Sequence, residues 1–366
     1  MAVSTIDPAG LNIGQIGGRR NKIINGDMRI AQRGTSSSSS GYHTVDRMRI
    51  YASGTDELAF TQSQSTDAPD GFDYSFKVAI NTAESSWTTT EWIYFRYVLE
   101  GRDNIDLAFG TSSAKKTTVS FWVKSSVIGN YAVLFFNDNG VDSSRNQTLT
   151  YTINSANTWE YKTITFDGDT AQVLHTGANA GADLYWVLST GPDRNSSDGS
   201  TWGTYTQARG AYGQTADVGG TLNATWQIAG LQFETGDVAT PFEHRSYGEE
   251  LSACMRYYQK LIAMPGESSC DVCNTNQRTT TAAYGVYHLV TPMRSAPTLS
   301  IGSLSDFILY AASTSVSGLS ALTFSLVSTT GSGRMAITNS SFGAAGNGGW
   351  LAISNATNYL GFDSEL

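Results

Sequence analysis

Charge and cysteine are both scarce in this 366-residue chain: 15% of its residues are charged and three are cysteine. An average globular protein carries ~25% charged residues. Three cysteines, Cys254, Cys270 and Cys273, cannot build a framework of intrachain disulfides, so stability must come from core burial or oligomerisation. Lys and Arg total 23 against 32 Asp and Glu, a net charge of −9. The cations are scattered, so the basic footprint of a nucleic-acid binder is missing. No apolar run approaches the ~20 residues that span a bilayer, so no membrane insertion is expected. The opening MAVSTIDPAGLNIGQIGG has no basic region followed by an apolar stretch, and no export signal is expected from it.

What is abundant points one way. The chain holds 43 Ser, 42 Thr, 37 Gly, 18 Tyr, 15 Phe and 8 Trp, the profile of an all-β extracellular or virion protein. Aromatic and β-branched residues supply ample surface to bury, which argues against disorder. Such a composition without an export signal suits a protein assembled in the cytoplasm and released by lysis. The length corresponds to roughly two to three domains at ~100–200 residues each.

Residues 1–20 are small and Gly-rich and read as an extended N-terminal arm. Strand signals then dominate. TVDRMRIYAS (44–53), YSFKVAI (74–80), EWIYFRYVLE (91–100), TTVSFWVKSS (117–126), YAVLFFND (131–138), QTLTYTIN (147–154), EYKTITF (160–166), DLYWVLST (183–190) and ATWQIAGLQFE (224–234) are short and rich in Val, Ile, Thr and aromatics. Many alternate with period two between Gly, Asn, Asp or Ser. Asn139-Gly140 and Asp167-Gly168 have the composition of type I′ hairpin turns. The prediction is an all-β fold with an antiparallel jelly-roll sandwich at 21–247.

One helix is predicted over 248–264, because Leu251, Cys254, Tyr258, Leu261 and Ile262 recur at intervals of three and four. Glu249 and Glu250 suit its first turn, and Pro265-Gly266 stops it. Its apolar stripe needs a cover, either the chain's own sandwich or the same helix of neighbouring subunits. A smaller C-terminal β domain is expected at 265–366, with strands such as ALTFSLVST (321–329) and GRMAIT (333–338). From Thr298 onward Arg334 is the only basic residue and Asp306, Asp363 and Glu365 the only acids. Strands so poor in charge are aggregation hazards when exposed, so their burial between subunits of a homotrimer is expected.

Catalytic and metal signatures are weak. Cys270-Asp-Val-Cys273 has the spacing of half a zinc site, but no second Cys/His pair stands at a matching distance. The histidines, His43, His175, His244 and His288, show no short metal spacing. PDRNSSDGS (192–200) resembles a calcium loop in composition, yet Gly199 falls one place late and a solvated turn fits better. No nucleophile elbow or phosphate loop is present, so no enzyme, cofactor or metal is expected. The 32 carboxylates are too many to single out a pair for glycoside hydrolysis. The segment GPDRNSSDGSTWGTYTQARGAYGQ (191–214) sets Trp202, Tyr205 and Tyr212 beside Arg209 in a Gly/Ser-rich loop. Exposed rings can cover the apolar face of a sugar while polar groups bind its hydroxyls. These residues are the candidate carbohydrate- or receptor-binding site; alternatively, the rings fold back and plug the end of the sandwich.

Three passages together resemble a known family. NKIINGDMRIAQRGTS with YHTVDRMRI, then FWVKSS, then WQIAGLQFETGDVATPFEHRSYGEELSACMRYYQKL look like the jelly-roll domain of bacteriophage tail-fibre and related virion proteins. The closing motif, with Gln232, Glu234, Gly236, Ala239, Thr240, Pro241, Phe242, Glu243 and Arg245, is the most specific part. The resemblance covers 21–264 and implies a carbohydrate-binding-module-like sandwich, a homotrimer, attachment to other virion proteins through the N-terminal arm and adhesion to a host glycan or protein through distal β structure. It implies no catalytic residues. The expectation is therefore a tail fibre that recognises a host surface, located in the virion. The alternatives are a head-decoration fibre or structural spacer and, third, a polysaccharide depolymerase.

Overall fold

Strand after strand pairs antiparallel with its neighbours in a computed structural model that describes residues 19–54, 57–140, 144–263, 267–311, 314–326, 331–342, 344–355 and 357–366. The expected arm at 1–20 lies outside the described residues except for Arg19 and Arg20. The chain divides into two compact units, one running to Glu250 and a second over Leu251–Glu365. Among the described residues no helix is long and apolar enough to cross a membrane.

The first unit is the jelly roll. Its strands are β1 (Ser36–Ser37), β2 (Arg49–Ser53), β3 (Ala59–Ser65), β4 (Ser75–Thr82), β5 (Trp92–Glu100), β6 (Thr117–Ser125), β7 (Gly129–Asn137), β8 (Arg145–Ile153), β9 (Glu160–Phe166), β10 (Ala180–Thr190), β11 (Gly203–Thr204) and β12 (Thr225–Thr235). One sheet has the order β1-β3-β4-β12-β6-β9 and the other β11-β8-β7-β10-β5-β2. Period-two alternation sends Phe76, Val78, Phe121, Val123, Ile164, Phe166, Trp226 and Ile228 inward from the first sheet, against Phe95, Tyr97, Tyr131, Phe135, Leu184 and Trp186 from the second. Asn139-Gly140 follows β7, which pairs with β8 along its length. Asp167-Gly168 is not a hairpin turn, because β9 and β10 belong to different sheets. The glycine is needed there for close approach: a Cβ on Gly168 would lie 2.5 Å from the Ala114 carbonyl.

Inside this core Tyr131 and Tyr151 stack with centroids 5.3 Å apart. Trp226 Nε1 donates to the Tyr151 hydroxyl at 3.1 Å. Burial raises both phenol pKa values above the ordinary tyrosine range. The folded state thus keeps protons that the unfolded chain sheds above about pH 10, so stability is full below that pH and falls as pH rises through it. Urea midpoints should decline steeply above about pH 10, in step with the appearance of tyrosinate absorbance. A midpoint unchanged across that range would contradict this account.

The closing motif is a latch. The Glu234 carboxylate accepts the Thr240 amide at 2.9 Å, the Thr240 hydroxyl at 2.7 Å and the Gln232 side-chain amide at 2.9 Å. Gln232 Oε1 accepts the Glu243 amide at 2.8 Å. Glu243 in turn accepts the amides of Arg20 and Asn21, at 3.1 and 3.0 Å. Arg245 donates to the carbonyls of Ile23, at 3.0 Å, and Asn21. The segment after β12 is thereby tied to residues 20–23, the start of the described chain. The adjoining passage 25–30 is closed by the Asn25 side chain, which donates to Ile30 O at 2.8 Å and accepts Ile30 N at 3.0 Å.

Helix α1 covers only Tyr247–Met255. The predicted continuation to 264 is corrected: Tyr258–Ile262 is strand β13. Its register with the final strand runs from Tyr258 opposite Asp363 to Ile262 opposite Tyr359, so a sheet ladder satisfies its backbone, overriding the helical spacing. Of the stripe assigned to a long helix, Cys254 and Tyr258 are buried, and Leu261 packs on the core of the second unit. Further strands follow as β14 (Cys270–Gln277), β15 (Ala282–His288), β16 (Thr298–Ile301), β17 (Phe307–Ala311), β18 (Thr314–Val316), β19 (Ala321–Leu326), β20 (Ser332–Thr338), β21 (Gly348–Ile353) and β22 (Tyr359–Asp363). They form a three-stranded sheet β13-β22-β16 and a seven-stranded sheet β18-β17-β21-β14-β15-β20-β19. Phe307, Leu309, Met335, Ile337, Leu351, Leu360 and Phe362 fill the core of this smaller β domain.

Candidate glycan-binding face

The loop at 191–214 does not present its rings as one platform. Trp202 Nε1 donates to the Asp167 carbonyl at 2.6 Å, and its ring meets Phe109 and Phe135 edge-on at 5.6 and 5.2 Å. Tyr205 packs edge-on against Phe136 at 5.0 Å. Phe135 and Phe136 are successive residues of β7 and project from opposite faces of their sheet, so Trp202 and Tyr205 cannot share one platform. Arg209 is a staple of the loop itself, donating to the carbonyls of Asp198 at 2.6 Å and Thr201 at 2.5 Å. Of the four candidates, Tyr212 is the most exposed, at 37%, and the other three are half-buried.

That loop instead closes the outer face of the second sheet. Ala211 and Tyr205 lie over Trp92, Tyr94, Leu134 and Tyr185, and all four are buried. The Arg194 guanidinium sits 3.9 Å from the Trp92 ring centre and donates to Thr90 O at 2.7 Å. Rings on this face are therefore spent on packing.

Aromatic side chains near the β9 edge reach the surface on the outer face of the first sheet. On β6 and the edge strand β9, Trp122 stands directly opposite Tyr161, with centroids 5.4 Å apart. Lys124, two residues along β6, meets Trp159, the residue just before β9, with the ammonium 5.2 Å from the ring centre. Tyr161 is 45% exposed, and Trp122 and Trp159 are half-buried. Beside this tile of four side chains is a cluster of Phe72, Phe242 and His244, with ring centres 4.9–5.5 Å apart. Phe72 can lie across β12 because residue 230 is glycine in the left-handed region, φ +58°; a Cβ there would stand 2.5 Å from the Phe72 ring. A cleft of about 550 Å³ runs between the two groups and is also lined by Asp70, Ser120 and Thr240.

Polar groups on the same face are held in place. Asp67 accepts from Lys124, from Gln227 Nε2 at 3.1 Å and from Trp159 Nε1 at 3.3 Å. Burial works against its charge, but these donors outweigh it and hold the carboxyl below the ordinary aspartate pKa. Flat rings beside oriented donors and acceptors are the chemistry that binds a saccharide. The sequence reading missed these residues. The signal was present: in FWVKSS and WEYKTITF, alternation puts Phe121, Val123, Ile164 and Phe166 inside, so Trp122, Trp159 and Tyr161 must face out.

Cys270 and Cys273 lie on β14 and pack partly against the core of the second unit. Burial raises both thiol pKa values, Cys273 to about 11. Among the described residues no group of three His, Cys, Asp or Glu is placed to hold a metal ion.

No protein-family model matches the chain, and no curated protein matches it. Several solved structures are similar in part. The enzymatically active domain of tailspike protein 4 of bacteriophage CBA120 is similar at 12% identity, over 59% of this chain and 21% of that one, with a TM-score of 0.33. A CBM4 structure is similar at 12% identity, over 58% of this chain and 97% of that one, with a TM-score of 0.30. The family 11 carbohydrate-binding module of Clostridium thermocellum, in complex with a β-1,3-1,4-mixed-linked tetrasaccharide, is similar at 10% identity over 56% and 98%, with a TM-score of 0.29.

Proposed function

We propose that this chain is a non-enzymatic adhesin, a fibre protein of a phage virion that binds a host-surface glycan through the jelly-roll unit. The observation that carries the reading is the pairing of half-buried Trp122 with exposed Tyr161 on an edge of the first sheet, next to hydrogen-bonding groups already oriented by Asp67. Rings that reach the surface among the described residues have a ready use in stacking on a pyranose. The virion setting rests on the three passages that resemble tail-fibre jelly rolls, and the homotrimer on the charge-poor strands after Thr298. Three weak sites presented together would give a fibre its grip.

The test uses the full-length protein. Bound to a glycan array and offered to host cells in competition with phage, it should retain specific saccharides and block adsorption, without releasing reducing ends from host polysaccharide. Release of reducing ends above background would favour the depolymerase. Failure to compete would favour a head-decoration fibre or spacer.

A further inference from the structure

We propose that the outer face of the seven-stranded sheet is a second binding surface, built for an acidic saccharide that carries carboxylates. It lies in the second unit and does not depend on the reading of the jelly roll. Tyr310 of β17 stands opposite Trp350 of β21, and their rings stack at 5.0 Å and 13° with Trp350 42% exposed. Two strands away, Tyr284 of β15 is flanked by two guanidiniums, Arg334 at 4.9 Å and Arg278 at 5.5 Å from its ring centre. Strand spacing and rise put the two stacks roughly 12 Å apart. Between them the exposed side chains of Asn274 and Asn276 share the face.

The chemistry of the occupant follows from charge. A cleft of about 790 Å³ includes Arg278, Tyr284 and Arg334, and no carboxylate lines it. Both guanidiniums are exposed, and neither has an acidic partner among the described residues. Arg334 is also the only basic residue after Thr298 in a chain of net charge −9. Two cations placed together without a counter-charge, and oriented by one tyrosine, form a preorganised fork for carboxylates. The stacked pair supplies a flat apolar surface for a ring of the same saccharide, and the asparagines reach hydroxyls between.

The test is affinity electrophoresis of the full chain through gels containing polygalacturonate, hyaluronate or polysialate, with methyl-esterified polygalacturonate as the neutral control. At least one acidic polymer should retard the protein more than the neutral ester. Arg278→Gln with Arg334→Gln should raise its Kd about ten-fold or more, and Tyr310→Ala with Trp350→Ala should do likewise, whereas Trp122→Ala with Tyr161→Ala should leave it unchanged. Thermal melts of each variant establish that it is folded, and Arg278→Lys with Arg334→Lys separates a fork from bulk charge. The proposal is overturned by equal retardation in acidic and neutral gels, by full binding in either the glutamine or the lysine pair, or by a glutamine pair that changes the sedimentation of the protein and so identifies the face as a contact between copies.

Discussion

Replacing Trp122 and Tyr161 together by alanine is expected to weaken saccharide binding by the jelly-roll unit about 30-fold or more, with little change in thermal stability. An aromatic anchor at the centre of a binding face is worth about 2 kcal/mol, and each 1.4 kcal/mol is a factor of ten. The stability side follows from position: both side chains lie on the solvent face of β6 and β9, and the inward residues Phe121, Val123 and Ile164 are untouched. Trp202→Ala should behave in the opposite way. That indole fills the end of the sandwich between Phe109 and Phe135 and donates to Asp167 O, so its loss should cost about 3 kcal/mol of stability and leave affinity unchanged. Glycan titrations and urea melts on the two variants give the comparison. If Trp202→Ala loses binding while remaining folded, and the double variant keeps it, the site is in the loop and not on the sheet.

The contrast between these tryptophans also marks how far the sequence could be read. Strand identity was legible because each buried strand carries its own signal. EWIYFRYVLE, broken only by Arg96, and DLYWVLST are apolar on both faces, and in the structure β5 and β10 are interior strands, covered on one face by the core and on the other by the loop. AFTQSQS was not recognised as a strand. β3 lies near the edge of its sheet and its Gln and Ser residues lack β propensity; pairing with β4 makes it a strand. Helix α1 was legible at its start, where the Glu249 carboxylate accepts the Ser246 amide and hydroxyl, but its end was not. Tyr258–Ile262 satisfies helical spacing and strand propensity alike, and the deciding partner, β22, is about a hundred residues away. The proposed binding face was hidden for a different reason. Aromatics in a Gly/Ser-rich loop look exposed by composition, whereas Trp122 and Tyr161 look like core unless the inward phase of each strand is fixed first.

Arg245→Ala should be the most destabilising single change in the latch, costing about 3–5 kcal/mol and lowering the melting temperature of the jelly-roll unit by about 6–20 °C. The guanidinium is nearly buried, with 11% side-chain exposure, and pairs with Glu243 at 3.0 Å and Glu250 at 3.4 Å. It also donates to the carbonyls of Ile23 and Asn21. Its removal leaves two carboxylates of low exposure without their cation and two backbone acceptors without a donor, the costly case for a polar network. Arg245→Lys should recover only part of the loss, since one ammonium cannot reproduce a fork directed at several acceptors. Glu243→Gln should be milder, because the one amide oxygen still accepts either the Arg20 or the Asn21 amide, which in the parent reach separate carboxylate oxygens, and Arg245 keeps Glu250 as its partner. The same reasoning gives the resemblance motif a physical meaning: Gln232, Glu234, Thr240, Glu243 and Arg245 bond to one another and to the segment at 20–23, so their spacing records how the sandwich is tied to the start of the described chain. Calorimetric melts of the three variants check the ranking, and an Arg245→Ala protein that melts with the parent would mean the tie is dispensable.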